Sequence, residues 1–224
     1  MNRLCWLVAT SLLLCPRVAL AQAGGFTHRL EVSGGAGYFT GLNFGSATAA
    51  LRANNQAPQP YTLFTTDTTL TGSLAGDFTL GARIDRRWTV EGHFGYSRPN
   101  LETSVRGDAE GAAPVTVVER IDQFVIDAGV LFRIDEMRIK GLTPYATGGA
   151  GYLRQLHEGF ALIDQGHLYH LGGGITRDLM VRTHGVVRAA GLRADGRMYF
   201  LSGGVVNDRT ARHGSFTASL FVRF

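Results

Sequence analysis

Three observations predict an all-β fold, namely a closed antiparallel up-and-down transmembrane β-barrel of eight strands. Stretch after stretch alternates apolar and polar side chains with the period of two that a strand imposes. Short connections alternate with long ones along the chain. Aromatic residues gather at both ends of the alternating stretches. Beyond the first residues no apolar run reaches the roughly 18 residues of a membrane-spanning helix.

Residues 1–21 read as a secretory signal peptide. Arg3 supplies the positive start, and residues 4–14 form an apolar run interrupted only by Thr10 and Ser11. Ala19 and Ala21 set small residues before a cleavage after Ala21, with Ala23 as the alternative. Residues 12–15 faintly resemble a lipoprotein cleavage site, but Leu14 is large for the position before Cys15, and Pro16 follows. Both cysteines, Cys5 and Cys15, fall inside this leader, so residues 22–224 are expected as one barrel domain without disulfides. A closed hydrogen-bonded ladder supplies the stability instead. The chain has 22 Lys and Arg against 18 Asp and Glu. Losing Arg3 and Arg17 with the leader brings the net charge to about +2, too little to argue for nucleic acid. The 30 glycines sit largely inside strand-like stretches, where they ease curvature and close packing.

The strands follow in order. Residues 27–39 place Leu30, Val32, Ala36 and Tyr38 opposite Arg29, Glu31 and Ser33. Residues 70–84 give the cleanest alternation, with Leu70, Leu74, Phe78, Leu80, Ala82 and Ile84 against Thr71, Ser73, Asp77, Thr79 and Arg83. Residues 88–98 set Trp88, Val90, Phe94 and Tyr96 against Thr89, Glu91, His93 and Ser97. Residues 120–134 set Phe124, Ile126, Ala128, Val130 and Phe132 against Gln123, Asp127 and Arg133. Residues 142–154 are glycine-rich and weaker in pattern, and residues 166–176 bring Tyr169, Leu171 and Ile175 together. A seventh strand is expected at 179–189, with Leu179, Val181 and Val187 against Arg182, His184 and Arg188. The eighth spans 215–224: Phe216, Ala218, Leu220, Val222 and Phe224 share one face, and Phe221 is the exception on the other.

The connections at 85–87, 135–141 and 177–178 are short, and those at 40–69, 99–119, 155–165 and 190–214 are long. An even strand count then puts both ends of the barrel chain on the short-turn side. Alternation alone does not tell inside from outside. A lipocalin-like soluble barrel, with apolar residues inward, is the structural alternative. The aromatics decide for the membrane form: Tyr38, Tyr96, Tyr152, Tyr169 and Phe216 mark one belt, and Trp88, Phe132 and Phe224 the other. The lumen is then expected to be filled by Glu31, Asp77, Glu91, Asp127, Arg133, Arg182 and Arg223 pairing with one another.

The last strand, ending on Phe224, resembles the C-terminal targeting strand of bacterial outer-membrane β-barrels; the other reading is an edge strand of a soluble sandwich. Residues 144–152 (Pro-Tyr-Ala-Thr-Gly-Gly-Ala-Gly-Tyr) and 171–175 (Leu-Gly-Gly-Gly-Ile) are similar to the glycine-rich strand motifs of small eight-stranded barrels. That group comprises the OmpA transmembrane domain, OmpX and the opacity-like porin family. The resemblance covers the whole exported chain and identifies a barrel class. It implies a location in the bacterial outer membrane, contact with outer-membrane lipids, and handling by periplasmic chaperones and the barrel assembly machinery. Phe216, Leu220, Val222 and Phe224 are then the lipid-facing and assembly residues of the last strand. No tethering role follows, since no peptidoglycan-binding domain is expected after the barrel.

The residues point to a structural or adhesion-like surface role, with no cofactor and with loops that carry any recognition. Two alternatives stay open. One is a small passive pore, which eight strands disfavour because little lumen remains. The other is a lipid A-modifying hydrolase. His213 and Ser215 stand two apart on one strand face, as a proton relay needs. The deacylase motif continues with Asn after the Ser, where this chain has Phe216, and Asp208 is the only nearby candidate acid. His157, Glu158, His167 and His170 lack the spacing of a metal ligand set. Residues 171–174 precede no helix and have no following Lys, so they are not a phosphate loop. The segment 198–201 (Met-Tyr-Phe-Leu) is expected as an apolar patch in the fourth long loop.

Overall fold

Backbone polar groups in a sheet are all satisfied only if the sheet has no open edge, and most of this chain solves that by closing on itself. The computed structural model describes residues 30–52, 59–158, 163–203 and 206–224. The expected leader, with Cys5 and Cys15, lies outside them. The strands are β1 (Leu30–Phe39), β2 (Leu42–Leu51), β3 (Tyr61–Leu70), β4 (Ser73–Arg83), β5 (Trp88–Ser97) and β6 (Asn100–Arg106). They continue with β7 (Val115–Arg133), β8 (Leu142–His157), β9 (Ile163–Val181), β10 (Ala189–Gly203) and β11 (Val206–Arg223).

Eight of these, β1, β4, β5, β7, β8, β9, β10 and β11, form a closed antiparallel ring. The seam is the pairing of β1 with β11, from Glu31 opposite Arg223 to Phe39 opposite Ser215. The eight-stranded up-and-down barrel that the alternation predicts is therefore the fold. At one end lie the turns at 84–87, 134–141 and 182–188 together with Leu30 and Phe224; we call this the turn end. At the other, the crown, the strands rise well past the barrel wall. There β2, β3, β6 and the first part of β7 pair as a four-stranded extension.

The wall has inverted polarity. Leu74 is 79% exposed, Leu80 51%, Ile126 56% and Leu220 63%, and all lie on the outer face. Glu31, Glu91, Asp127, Arg193, Asp195 and Arg197 are buried within. A contiguous apolar girdle of this kind is foreign to soluble monomers, and it removes the lipocalin-like alternative. Outward aromatics bound the girdle. Tyr38 pairs with Phe216 and Tyr96 with Phe124 near the crown. Trp88 and Phe132 meet at a ring distance of 4.8 Å near the turn end.

Two expectations are corrected. The seventh strand is not at 179–189. Leu179 and Val181 are the end of β9, which runs unbroken through Arg177 and Asp178, and the turn is at 182–188. Gly185, with φ +106°, adopts the left-handed backbone there. The true seventh barrel strand is β10, in what reads as a long loop. The outer connections are also not uniformly long loops: 40–69 and 99–119 contain crown strands, and β8 to β11 extend as tall hairpins.

Candidate functional site

The lumen is the part of the molecule in which functional chemistry is concentrated, and its strand alternation builds it in storeys. Inward positions on β7 run Arg133, Leu131, Gly129, Asp127, Val125, Gln123 and Ile121 from turn end to crown. On β10 the inward series is Arg193, Asp195, Arg197, Tyr199 and Leu201. Both strands are charged low down and apolar above.

The lowest storey centres on Glu31. Its carboxylate accepts from Arg223 Nε at 2.6 Å and from Arg133 Nη2 at 3.0 Å. Arg223 Nη1 also donates to Asp178 at 2.7 Å. Above it, Arg193 grips Glu91 with two parallel bonds of 2.6 and 2.9 Å, and its Nε reaches the Tyr145 hydroxyl at 2.9 Å. Asp195 bridges Arg193 and Arg197, at 3.2 and 2.9 Å. In the next storey His93 stands between two carboxylates, with Nδ1 2.8 Å from Asp127 and Nε2 2.5 Å from Asp77. His170 approaches Asp127 at 3.6 Å. Each ion here has lost its water, at a cost of several kcal/mol apiece, and bidentate geometry with shared carboxylates offsets that loss.

An apolar plug closes the lumen over this network. Phe39, Leu42, Leu70, Ala75, Ile121, Val125, Leu153, Leu168, Tyr199 and Leu201 form one buried cluster. Gln155 donates to Gln123 at 2.9 Å beside it. At the crown, His157 lies between Glu119 (2.9 Å) and Asp164 (3.0 Å). Burial lowers the affinity of this imidazole for its proton, but the two carboxylates outweigh that and hold its pKa above the ordinary value.

The expected network residues Glu31, Asp77, Glu91, Asp127, Arg133 and Arg223 all lie in these storeys. Arg182 does not: it is exposed in the turn between β9 and β10, because β9 ends at Val181. The sequence reading missed Arg193, Asp195, Arg197, His170 and Tyr145 as lumen residues, and it placed His93 on the inward face without naming it in the network. For the first three the signal was present as strict i, i+2, i+4 spacing of charges with Ala194, Gly196 and Met198 between and after them. On the last strand, Phe216, Leu220 and Phe224 face outward and Val222 is half-buried. Segment 198–201 is strand, with Tyr199 and Leu201 pointing into the plug.

His213 and Ser215 share a face, and that face is the lumen. Both are buried, and the His213 ring stacks on Phe39 at 4.9 Å. The Asp208 side chain lies outside what the structure describes. The pair is enclosed by the plug, away from the outer girdle where an acyl chain would run. Among the described residues no group of three or more His, Cys, Asp or Glu side chains is arranged to hold a metal ion.

No protein-family model matches the chain, and no curated protein matches it in sequence. Solved structures do. Neisserial surface protein A aligns at 12% identity with a TM-score of 0.51, over 87% of this chain and 97% of that one. Ail, the attachment invasion locus protein of Yersinia pestis, aligns at 14% identity and TM-score 0.42, over 88% and 99%. The outer-membrane protease OmpT of Escherichia coli aligns at 10% identity and TM-score 0.37, over 91% and 99%. The likeness to the neisserial protein shows a shared fold, the closed antiparallel β-barrel.

Proposed function

We propose that this protein is an integral barrel of the bacterial outer membrane whose role is surface interaction through its crown. The apolar girdle, the two aromatic belts and the leader read at residues 1–21 support the location. Outer-membrane lipids, periplasmic chaperones and the barrel assembly machinery are its partners in that reading.

One observation carries the role. The crown sheet ends in an open edge, β2, whose ten residues Leu42–Leu51 contain no charged residue and no proline. Natural sheets guard exposed edges with charge, proline, bulges or cover. Residues 45–48 of this edge are exposed and uncharged, a short free stretch between the bulges at Asn43/Gly45 and Ala49/Ala50. An edge of that kind accepts an extended segment of a partner, whose main chain completes the ladder. The sealed, rigid barrel below serves to present it. The filled lumen argues against a passive pore, and the enclosed His213 and Ser215 argue against a hydrolase.

The test is binding of whole cells to surfaces coated with fibronectin, laminin or collagen. Cells displaying the wild type should bind at least one of these. Cells displaying Ala47→Lys with Ala49→Lys, at equal surface level, should bind at least tenfold less. Wild-type cells that bind no better than cells lacking the protein, or edge variants that bind equally, overturn the surface role.

A further inference from the structure

The outer wall is uneven. On β4, β5 and β7 it carries Leu74, Phe78, Leu80, Phe94, Ile126 and Val130, all large and exposed. Across β1, β11 and β10 one row is small. Ala36, Ala218 and Ala194 stand side by side in one row. The row nearer the turn end runs Gly34, Leu220, Leu192, Arg177 and Leu142. A hollow of about 530 Å³ lies over these two rows, within the ~300–1,000 Å³ span of small-molecule sites.

Its rim carries one available cation. Arg177 is exposed, lies on the outer face, and makes no ion pair among the described residues. Arg193 also borders the hollow, but its guanidinium is buried in the lumen on Glu91. Arg177 pairs across strands with Leu142, the first residue of β8, and stands in the turn-end half of the wall, with exposed Leu179 and Val181 continuing β9 beyond it. The remaining rim, Leu220, Leu192 and Ile175, is aliphatic.

We infer that Arg177 and this hollow bind one glycerophospholipid of the turn-end leaflet. The phosphate sits on the guanidinium, which matches phosphate geometry and is weakly hydrated. One acyl chain lies over Ala218 and Ala194, where bulky neighbours would exclude it. The two features fit one molecule: a phosphate drawn to the Arg177 cation in the turn-end half of the wall and a chain reaching from it toward the girdle's middle. A second copy of the barrel fits less well, because a two-fold contact across this face brings two Arg177 guanidinium groups together in an apolar seam. The inference rests on the membrane location proposed above.

The full-length barrel, purified from membranes in detergent, is titrated with dimyristoyl phosphatidylglycerol or with dimyristoyl glycerol, which lacks the phosphate. Bound lipid is counted by native mass spectrometry. One phosphatidylglycerol per barrel is expected, bound at least tenfold more tightly than the diacylglycerol. Arg177→Gln should weaken phosphatidylglycerol at least fivefold, and Arg177→Lys should retain part of the binding. Arg154→Gln, at the opposite end of the wall, should change nothing. Ala194→Leu should displace the lipid with Arg177 intact. Each variant is scored only as heat-modifiable, folded protein. Equal binding of the two lipids, no loss in Arg177→Gln or Ala194→Leu, or a dimer in place of the lipid-bound monomer overturns the site. Wild-type chain that is missing from the membrane fraction fails the location instead.

Discussion

Phe221 breaks the alternation of the last strand, and the structure gives the reason. It points into the lumen, is 1% exposed, and lies under the Arg223 guanidinium at 4.3 Å. Across from it Gly191 leaves the space the ring fills: a Cβ there would come within 2.6 Å of the ring and 2.1 Å of the Arg177 carbonyl. The ring gives the buried cation a π face, two residues crownward of the Glu31–Arg223 pair. An apolar residue at an inward position is thus part of the electrostatics. Outward positions have simpler demands. Leu80 is 51% exposed, shares its row with Val32 and Gly92, and lies mid-girdle. Leu80→Arg should cost about 2–4 kcal/mol of folding free energy, the penalty for a cation near the bilayer midplane. Reversible urea unfolding in lipid vesicles measures it. An unchanged midpoint would place that face out of lipid.

At the scale of elements, β7 and β8 show how glycine shapes the wall. Gly129 and Gly149 face each other in register. A Cβ on Gly149 would lie 2.4 Å from the Ala128 carbonyl and 2.7 Å from His170 Cε1. The close approach coils the two strands and leaves room for the His170 ring in the lumen. Gly149→Ala should therefore destabilise by about 1–3 kcal/mol, as overpacking does. The heat-modified shift on gels and the urea midpoint should both fall, while Gly92→Ala, where nothing lies within 4 Å, should be neutral. β10 is the element that pattern reading lost. Its inward side is Arg193, Asp195 and Arg197, and its outward side includes Ala194 and Gly196. Neither side looks like a core, so the stretch reads as a polar loop. Leu179 and Val181, more apolar, drew the strand assignment to themselves.

For the molecule as a whole, the storeys of the lumen decide transport. Ion-paired side chains fill the lower part and an apolar plug covers them. An ion crossing would have to break desolvated pairs and then enter a dry layer. Planar-bilayer recordings should show no steady porin-like conductance; a large and stable open current would contradict the filled lumen. The crown has a different character. Among the described residues its four-stranded extension leaves β2 unpaired on one side and β7 unpaired on the other over Val115–Arg120, so the barrel has no edge within the girdle but has edges above it. That division suits a wall that must satisfy every backbone group and a crown surrounded by water.

Alternation with period two was enough to determine the all-β class, a barrel of eight strands and, with the aromatic belts, the outward face of most of them, but not the crown strands β2, β3 and β6 or the place of the seventh barrel strand. These are local properties: a side chain's face depends only on its parity along an extended chain. It also brought Glu31, Asp77, Glu91, Asp127, Arg133 and Arg223 to the same face. Which of them pair, and with what, was not legible, because Glu31 meets Arg133 and Arg223 only when distant strands close and register is set. Closure likewise decided that His213 and Ser215 are enclosed, that Arg182 belongs to a turn, and that inward Val125, Leu153 and Tyr199 meet as a plug. Parity assigns a residue to a face; only the ring of strands, with its fixed stagger, assigns it to a height and to its neighbours.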